Sequence, residues 1–172
     1  MRFFAFISVL ALSVCSCAAQ VSKDTSTETS SAIDQVLVSW HKAAADADFD
    51  SYFGMMTDDA VFLGTDVTEN WRNAQFKAYS KPYFDKGKAW SFTTLERNIY
   101  IAKNGNMAWF DEHLDTQMGI CRGSGVLVLS NGIWKIKHYV LSIAIPNESV
   151  DAITAIKAEW DRKQMEKMRN NE

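Results

Sequence analysis

The chain has 172 residues, of which 47% are hydrophobic and 23% charged, with a formal net charge of -3. This length fits one globular domain with an additional terminal segment, and it leaves little room for a second domain. Charges of both signs are interleaved along the chain, so the sequence offers no basic face for a phosphate backbone. We therefore expect no nucleic-acid partner.

Residues 1–19 are typical of a secretory signal peptide. The apolar stretch from Phe3 to Val14 is too short to span a bilayer, and small residues follow it. The end of this segment fits either a bacterial lipobox, with lipidation at Cys17, or ordinary cleavage before Gln20. We favour lipidation, and we expect an exported protein of the periplasm or cell envelope that touches a membrane only through this anchor.

Residues 20–31 are rich in serine and threonine and have little apolar surface to bury. Such a composition is typical of a flexible tether between an anchor and a domain. Once the signal peptide is removed and Cys17 carries lipid, Cys121 is the one remaining cysteine, so we expect no disulfide within the mature domain. No activating base stands near Cys121 in the sequence, and we interpret it as a packing residue.

Helices are predicted in the first part of the domain. Apolar residues recur at intervals of three and four between Ile33 and Ala47, which predicts a helix with one apolar face. Asp48 or Asp50 is expected to cap a short second helix. A short strand, residues 60–63, follows.

A third helix is predicted after Gly64. Asp66 and Glu69 have the spacing of a helix cap and its reciprocal partner, so the helix is expected to begin there. The aromatic-rich sequence that follows predicts a helix that bends at Pro82 and ends at Gly87.

From residue 90 to residue 145 the apolar period changes to two, which predicts four strands. Asn104-Gly105 and Asn131-Gly132 are strong signals for hairpin turns between them. Helices followed by consecutive hairpins predict an α+β fold, with a curved antiparallel sheet that wraps around the helices and encloses a pocket.

A final helix is predicted in residues 148–172, after Asn147, which is expected to cap it. Its apolar residues recur at helical spacing among many charges. The helix can pack on the domain, cover the pocket or contact another subunit, and the sequence does not choose among these.

Several segments of the chain agree in order and spacing with those of a known family. They are Gly64-Thr65-Asp66 with Glu69 and Trp71, Trp109-Phe110-Asp111-Glu112, Cys121 to Leu127, Trp134-Lys135-Ile136, His138-Tyr139 and Pro146-Asn147. Over residues 32–147 the chain resembles the SnoaL-like branch of the nuclear transport factor 2-like superfamily. The resemblance implies a cone of curved sheet and helices, to which this chain adds its C-terminal helix. It also implies a homodimer built sheet to sheet.

That superfamily contains ketosteroid isomerases, polyketide cyclases and dehydratases, and a kinase association domain. The same cone therefore serves both enzymes and non-catalytic modules, and the resemblance does not fix a reaction.

Alternation along the last strand places His138 on the same face as Trp134 and Ile136, which predicts that it points inward. An inward histidine is a candidate general acid or base, because its ordinary pKa of about 6.5 permits proton transfer near neutrality. Alternatively, His138 is a buried residue whose hydrogen bonds serve packing alone.

Arg122, with Ser124 beside it, is a candidate anchor for a ligand carboxylate. The alternative is an ion pair between Arg122 and Asp111 or Glu112 across the sheet. Adjacent strand residues face opposite ways, so one of these two acids must point inward. If it is desolvated, its pKa is expected to rise, and it becomes a candidate general base.

Three aromatic residues, Trp71, Tyr83 and Trp109, are candidates for the pocket wall, although such residues are more often plain core. Asp66 is a further candidate ligand contact, with the helix cap as its alternative role. The three histidines fall in separate elements and no cysteine pair supports them, so we expect no metal site and no cofactor.

Two classes of function remain. The first is a binding module that holds a small, partly apolar or carboxylate-bearing molecule in one pocket. The second is an enzyme of isomerase, dehydratase or cyclase type that uses an inward carboxylate or His138 as general base. We favour the binding module. An assembly platform with a vestigial pocket is a third possibility.

Overall fold

The computed structural model describes the backbone of residues 14–170 and the side chains of residues 26–170. The signal peptide predicted at residues 1–19, including the lipidation site at Cys17, lies outside the described side chains. The chain divides between Ser142 and Ile143 into two compact units.

Three helices belong to the first unit, and they are α1 (Val14–Ala45), α2 (Phe49–Gly54) and α3 (Asn73–Asp85). Helix α1 buries the apolar face that the sequence predicts, including Ile33, Leu37 and Trp40. Asp48 caps α2, because its side chain accepts a hydrogen bond of 3.0 Å from the backbone N–H of Ser51.

Helix α1 also runs through residues 20–31, where the composition predicts a flexible tether. Serine and threonine cost only a few tenths of a kcal/mol each in a helix relative to alanine. A helix that is already fixed by the packed segment from Ile33 onward therefore propagates through them.

One six-stranded sheet packs against these helices, in the order β2-β1-β6-β5-β4-β3. Its strands are β1 (Met56–Leu63), β2 (Asn70–Arg72), β3 (Thr93–Ile101), β4 (Met107–Thr116), β5 (Gly119–Ser130) and β6 (Ile133–Ile143). The α+β fold class and the four consecutive strands are confirmed. Strands β1 and β6 are parallel, an exception to the antiparallel arrangement that the hairpins predict.

The predicted start of the third helix is wrong. Asp66 and Glu69 instead close a tight turn, in which Glu69 Oε2 accepts the backbone N–H of Asp66 at 3.2 Å. Strand β2 follows, and α3 begins only at Asn73, where the Gln75 side chain accepts the backbone N–H of Arg72 at 3.0 Å. A side-chain acceptor three residues after the first residue of a tight turn can accept the same backbone N–H group as one three residues after the start of a helix. The spacing of Asp66 and Glu69 alone therefore does not distinguish a turn from a helix start.

The predicted inward orientation of His138 is also wrong. Burial alternates regularly through Trp134 and Ile136, but two half-buried residues then follow in succession, and Tyr139 takes the buried position. The pairing of β6 with β1 shifts in the same region, between Met56 and Val61. The one-residue slip in the burial pattern of β6 moves every later side chain to the opposite face.

The second unit contains a 3₁₀ turn, Asn147–Ser149, and helix α4, Val150–Arg169. The residue that precedes α4 is Ser149, so the prediction that Asn147 caps this helix is wrong. The apolar residues of α4 are exposed, among them Ile156, Trp160 and Met168. Within the part of the chain that the structure describes, no helix combines the length and apolarity needed to span a membrane.

Candidate functional site

A buried carboxylate stands at the centre of a polar network between the helices and the sheet. Glu112, on β4, is the inward member of the acidic pair. Its Oε1 lies 2.9 Å from His41 Nε2 and accepts a hydrogen bond of 3.1 Å from the Tyr139 hydroxyl. Its Oε2 accepts bonds of 2.9 and 2.8 Å from Nε and Nη2 of Arg97. Both carboxylate oxygens are therefore occupied.

Arg97, on β3, connects this network to helix α1. Its side chain is 4% exposed, and Nη1 donates to Asp34 Oδ1 at 2.6 Å. Nη2 also donates to Thr94 Oγ1 at 2.9 Å. The arginine is thus bound by two carboxylates within the protein and has little capacity left for a ligand.

The ionisation of Glu112 differs from the prediction for an inward carboxylate. Burial by itself would raise the pKa of Glu112, but the hydrogen bond and charge of His41, together with Arg97, outweigh it and lower the pKa. The prediction of a raised pKa is therefore wrong for this residue. Asp111 points to the other face and accepts a hydrogen bond of 3.0 Å from Asn98 Nδ2.

Arg122 does not contact Glu112, because Gly123 is the residue opposite Glu112 in the β4–β5 pairing. Arg122 is exposed and pairs with His113, and Ser124 pairs with Asp111 on the same outer face. Among residues 26–170, no ion pair of Arg122 is described. The expected ion pair with Asp111 or Glu112 is not formed, and Arg122 is not among the described residues that line the cavity reported below.

The sequence reasoning missed Arg97 and His41. A signal for Arg97 was present, because a hairpin centred on Asn104-Gly105 places residue 97 opposite residue 112, as the observed register does. No comparable local signal points to His41, which reaches Glu112 from helix α1.

A cavity of about 160 Å³ lies beside this network, since its lining residues Phe62 and Phe92 contact Tyr139 and His41 with ring centroids 5.4 and 5.9 Å apart. Six of its lining residues are aromatic, and its full lining is Phe62, Gly64, Thr65, Glu69, Trp71, Phe76, Tyr79, Trp90, Phe92, Gln117, Met118 and Leu141. The floor is buried at Phe62 and Phe76, whereas Thr65, Tyr79 and Gln117 are exposed. The cavity therefore opens to solvent at that rim.

Of the aromatic residues predicted to line a pocket, Trp71 does so. Its ring stacks on those of Phe76 and Tyr79, with centroids 5.5 and 4.5 Å apart. Tyr83 and Trp109 are 47% and 45% exposed and are not part of the cavity wall. Asp66 is exposed in the turn beside the cavity, where its Oδ1 accepts the backbone N–H of Thr68 at 2.8 Å.

Glu69 contributes the one charged side chain among the described residues that line the cavity. The carboxylate lies against Gly64, so closely that a Cβ atom on residue 64 would collide with it. Burial, the neighbouring Tyr83 hydroxyl and the charge of Glu69 together raise the pKa of Tyr79 to about 12. The cavity is therefore aromatic and negatively charged.

A wider depression of about 610 Å³ lies between α1 and β3. Half of its eight lining residues are serine and threonine of α1, and the others are Asp34, Arg97 and two isoleucines of β3. The Arg97 and Asp34 side chains there bind each other, and the depression lacks the aromatic walls of the smaller cavity.

Comparison with known proteins agrees with this architecture. The SnoaL-like domain profile matches residues 33–146. An NTF2-like protein of unknown function from Pseudomonas putida KT2440 superposes with a TM-score of 0.60 at 17% identity, covering 72% of this chain and 92% of that one. An NTF2-like protein from Cytophaga hutchinsonii gives a TM-score of 0.55 at 17% identity, with coverages of 65% and 95%.

The association domain of C. elegans CaMKII is also similar, with a TM-score of 0.58, 18% identity and coverages of 70% and 99%. Among curated proteins, none matches the sequence significantly. At such low identities the structural similarity concerns the fold alone.

Proposed function

Since this chain belongs to the SnoaL-like domain family, we propose that it is a binding module whose aromatic cavity holds a small, partly apolar molecule. The observation that carries this proposal is the cavity of about 160 Å³ with six aromatic residues in its wall. Aromatic and apolar walls with a few polar groups are typical of ligand sites in proteins. The exposed rim at Thr65 and Gln117 supplies a route of entry.

The size of the cavity limits its occupant. Sites for drug-sized ligands usually measure about 300–1,000 Å³, so this cavity fits a small molecule or one end of a larger one. An occupant that buries roughly 150 Å² of apolar surface gains at most about 4 kcal/mol, and the entropy lost on association reduces this, so a dissociation constant of about 1 mM or weaker is expected. Weak, rapidly exchanging binding is therefore expected.

The carboxylate-bearing ligand that the sequence also suggested is disfavoured. No lysine or arginine is among the described residues that line the cavity, and Glu69 would repel an anion. Arg97, the buried cation of the domain, is occupied by Glu112 and Asp34.

An enzyme that uses an inward carboxylate as general base finds less support in this geometry. Glu112 has a lowered pKa and two occupied oxygens, and it does not line the cavity. His138 lies on the opposite face from Tyr139. A general base must reach the proton that it removes, directly or through one water, and neither residue is placed to do so for a molecule in the cavity.

Heteronuclear NMR titration of the protein with small apolar molecules such as indole, benzyl alcohol and cyclohexanol tests the proposal. Chemical-shift changes should concentrate on residues of the cavity wall. Met118→Trp should fill the cavity and abolish binding, whereas Met107→Trp, on an exposed position of β4, should not. Absence of binding at millimolar concentration both for these neutral molecules and for a charged, partly apolar one such as choline, or equal binding by the Met118→Trp variant, would overturn the proposal.

We also propose that the protein is exported and lipid-anchored through Cys17, in keeping with the apolar segment and lipobox-like sequence of residues 1–19. Cys17→Ser should move the protein from the membrane fraction to the soluble fraction of producing cells. Cys15→Ser is the matched control and should leave the distribution unchanged. Equal membrane association of both variants would contradict lipidation at Cys17.

A further inference from the structure

The charge of the cavity is not neutralised by the protein itself. Glu69 takes part in no ion pair within residues 26–170. The hydrogen bond described for its carboxylate comes from the backbone N–H of Asp66, at 3.2 Å. A negative charge thus stands at the wall of an otherwise aromatic and apolar cavity without a cationic partner from this part of the chain.

The local backbone holds this carboxylate at the cavity. The turn is closed by backbone bonds of 2.9 Å from Gly64 N–H to the Glu69 carbonyl and from Glu69 N–H to the Asp66 carbonyl. Gly64 leaves the space that the Glu69 side chain fills, since any larger residue there would displace it. The turn therefore places Glu69 beside the cavity, and its carboxylate occupies the space that Gly64 leaves open.

The charge decides which apolar ligands fit. A neutral molecule that expels water from the cavity would leave the Glu69 carboxylate with fewer hydrogen bonds, and uncompensated desolvation of a charge is costly. A cation restores the lost electrostatic stabilisation. Aromatic rings such as those of Trp71, Tyr79 and Trp90 also attract cations through their π-electrons.

We infer that the ligand of this cavity is an organic cation of the alkylammonium class, whose charge pairs with Glu69 while its alkyl groups contact the aromatic wall. This inference rests on the proposed function and names the ligand class of the same site. Alkyl groups on nitrogen suit the cavity better than a bare ammonium, because they bury apolar surface and carry less hydration.

A matched pair of ligands tests the inference on the unaltered protein. Choline and 3,3-dimethylbutan-1-ol (below, dimethylbutanol) have nearly the same shape, but the second has a neutral carbon in place of the charged nitrogen. Choline should bind about tenfold more tightly or better, and its affinity should fall as sodium chloride is added. The preference should disappear in Glu69→Gln and persist in Glu96→Gln, which alters an exposed glutamate of β3.

The outcomes separate this inference from the proposed function. If choline and dimethylbutanol bind equally to the unaltered protein, the cavity is a ligand site but the inference is overturned. The same holds if neutral molecules bind and choline does not. If none of these molecules binds, the proposed function fails as well. The comparison of the two ligands decides the question even if Glu69→Gln proves unstable.

Discussion

Glu112 lies at the centre of the buried polar network of the domain. Its carboxylate joins β4 to α1 through His41, to β3 through Arg97 and to β6 through Tyr139. Breaking a buried ion pair by removing one partner typically costs about 3–5 kcal/mol, because the other charge stays buried without compensation. Glu112→Gln should lower the free energy of unfolding by this amount in urea denaturation near neutral pH. Asp111→Asn, on the outer face, should cost less than about 1 kcal/mol, and equal losses would contradict this account.

Acid should weaken the folded state through the same carboxylate. The pKa of Glu112 is lower in the folded protein than in an unfolded chain, so between these two values the unfolded chain binds more protons. The stabilisation is fully present above the ordinary glutamate pKa of about 4.3 and is lost as the pH falls below it. Urea denaturation at a series of acidic pH values should therefore give a flatter dependence for Glu112→Gln than for the unaltered protein. Parallel curves would show that another group titrates.

Gly123 is required by the same network for steric reasons. A Cβ atom at this position would collide with the Tyr139 hydroxyl and the Glu112 carboxylate, both of which are buried. Overpacking of this kind typically costs about 1–3 kcal/mol. Gly123→Ala should therefore destabilise the domain in thermal and urea unfolding. Ser124→Ala is the neighbouring control on the outer face, and an equal loss there would point to the strand itself and not to the network.

Among the helices and strands, the features that could be predicted are those set by residues close together in the sequence. Features set by contacts between distant segments could not be predicted. The strands around Asn104-Gly105 and Asn131-Gly132 were predictable because the turn residues fix the register locally, and Asn131 indeed has a positive φ of 52°. The face on which His138 lies was not predictable, because the irregularity of β6 arises where it pairs with β1, far away in the sequence. The cavity was predictable as a property of the fold, but its charge depends on the turn that holds Glu69 against Gly64.

The segment of α1 from residue 26 to residue 32 should contribute little to stability. Residues 26–32 are exposed or half-buried, and the buried face begins at Ile33. The free energy of unfolding of a chain that begins at Ala32 should therefore be within about 1 kcal/mol of that of a chain that begins at Ser26, because surface changes of this kind are usually small. A chain that begins at Gln35 also loses Ile33 and the Asp34–Arg97 ion pair. The chain that begins at Gln35 should unfold at a clearly lower urea concentration than the chain that begins at Ala32. Equal midpoints for the two truncated chains would contradict this division of the helix.

At the level of the whole molecule, the outer face of the sheet remains exposed in the single chain. Trp109 and Tyr100 stack there, with ring centroids 5.8 Å apart, and Met107 lies nearby on β4. Exposed apolar groups that cluster on one face commonly mark an interface between proteins. We therefore propose a homodimer that forms through this face, as expected from the resemblance that the sequence carries.

This proposal predicts that light scattering after size-exclusion chromatography gives the mass of a dimer, and that Trp109→Lys converts it to a monomer. A lysine at the centre of an apolar interface would have to be desolvated without a partner, which disfavours association. Tyr83→Lys alters an aromatic residue of similar exposure on α3 and should leave the dimer intact. Helix α4 has an exposed apolar face of its own, so a chain that ends at Ile145 provides the decisive contrast. If that truncation abolishes the dimer while Trp109→Lys preserves it, α4 is the interface and the sheet face must have another role.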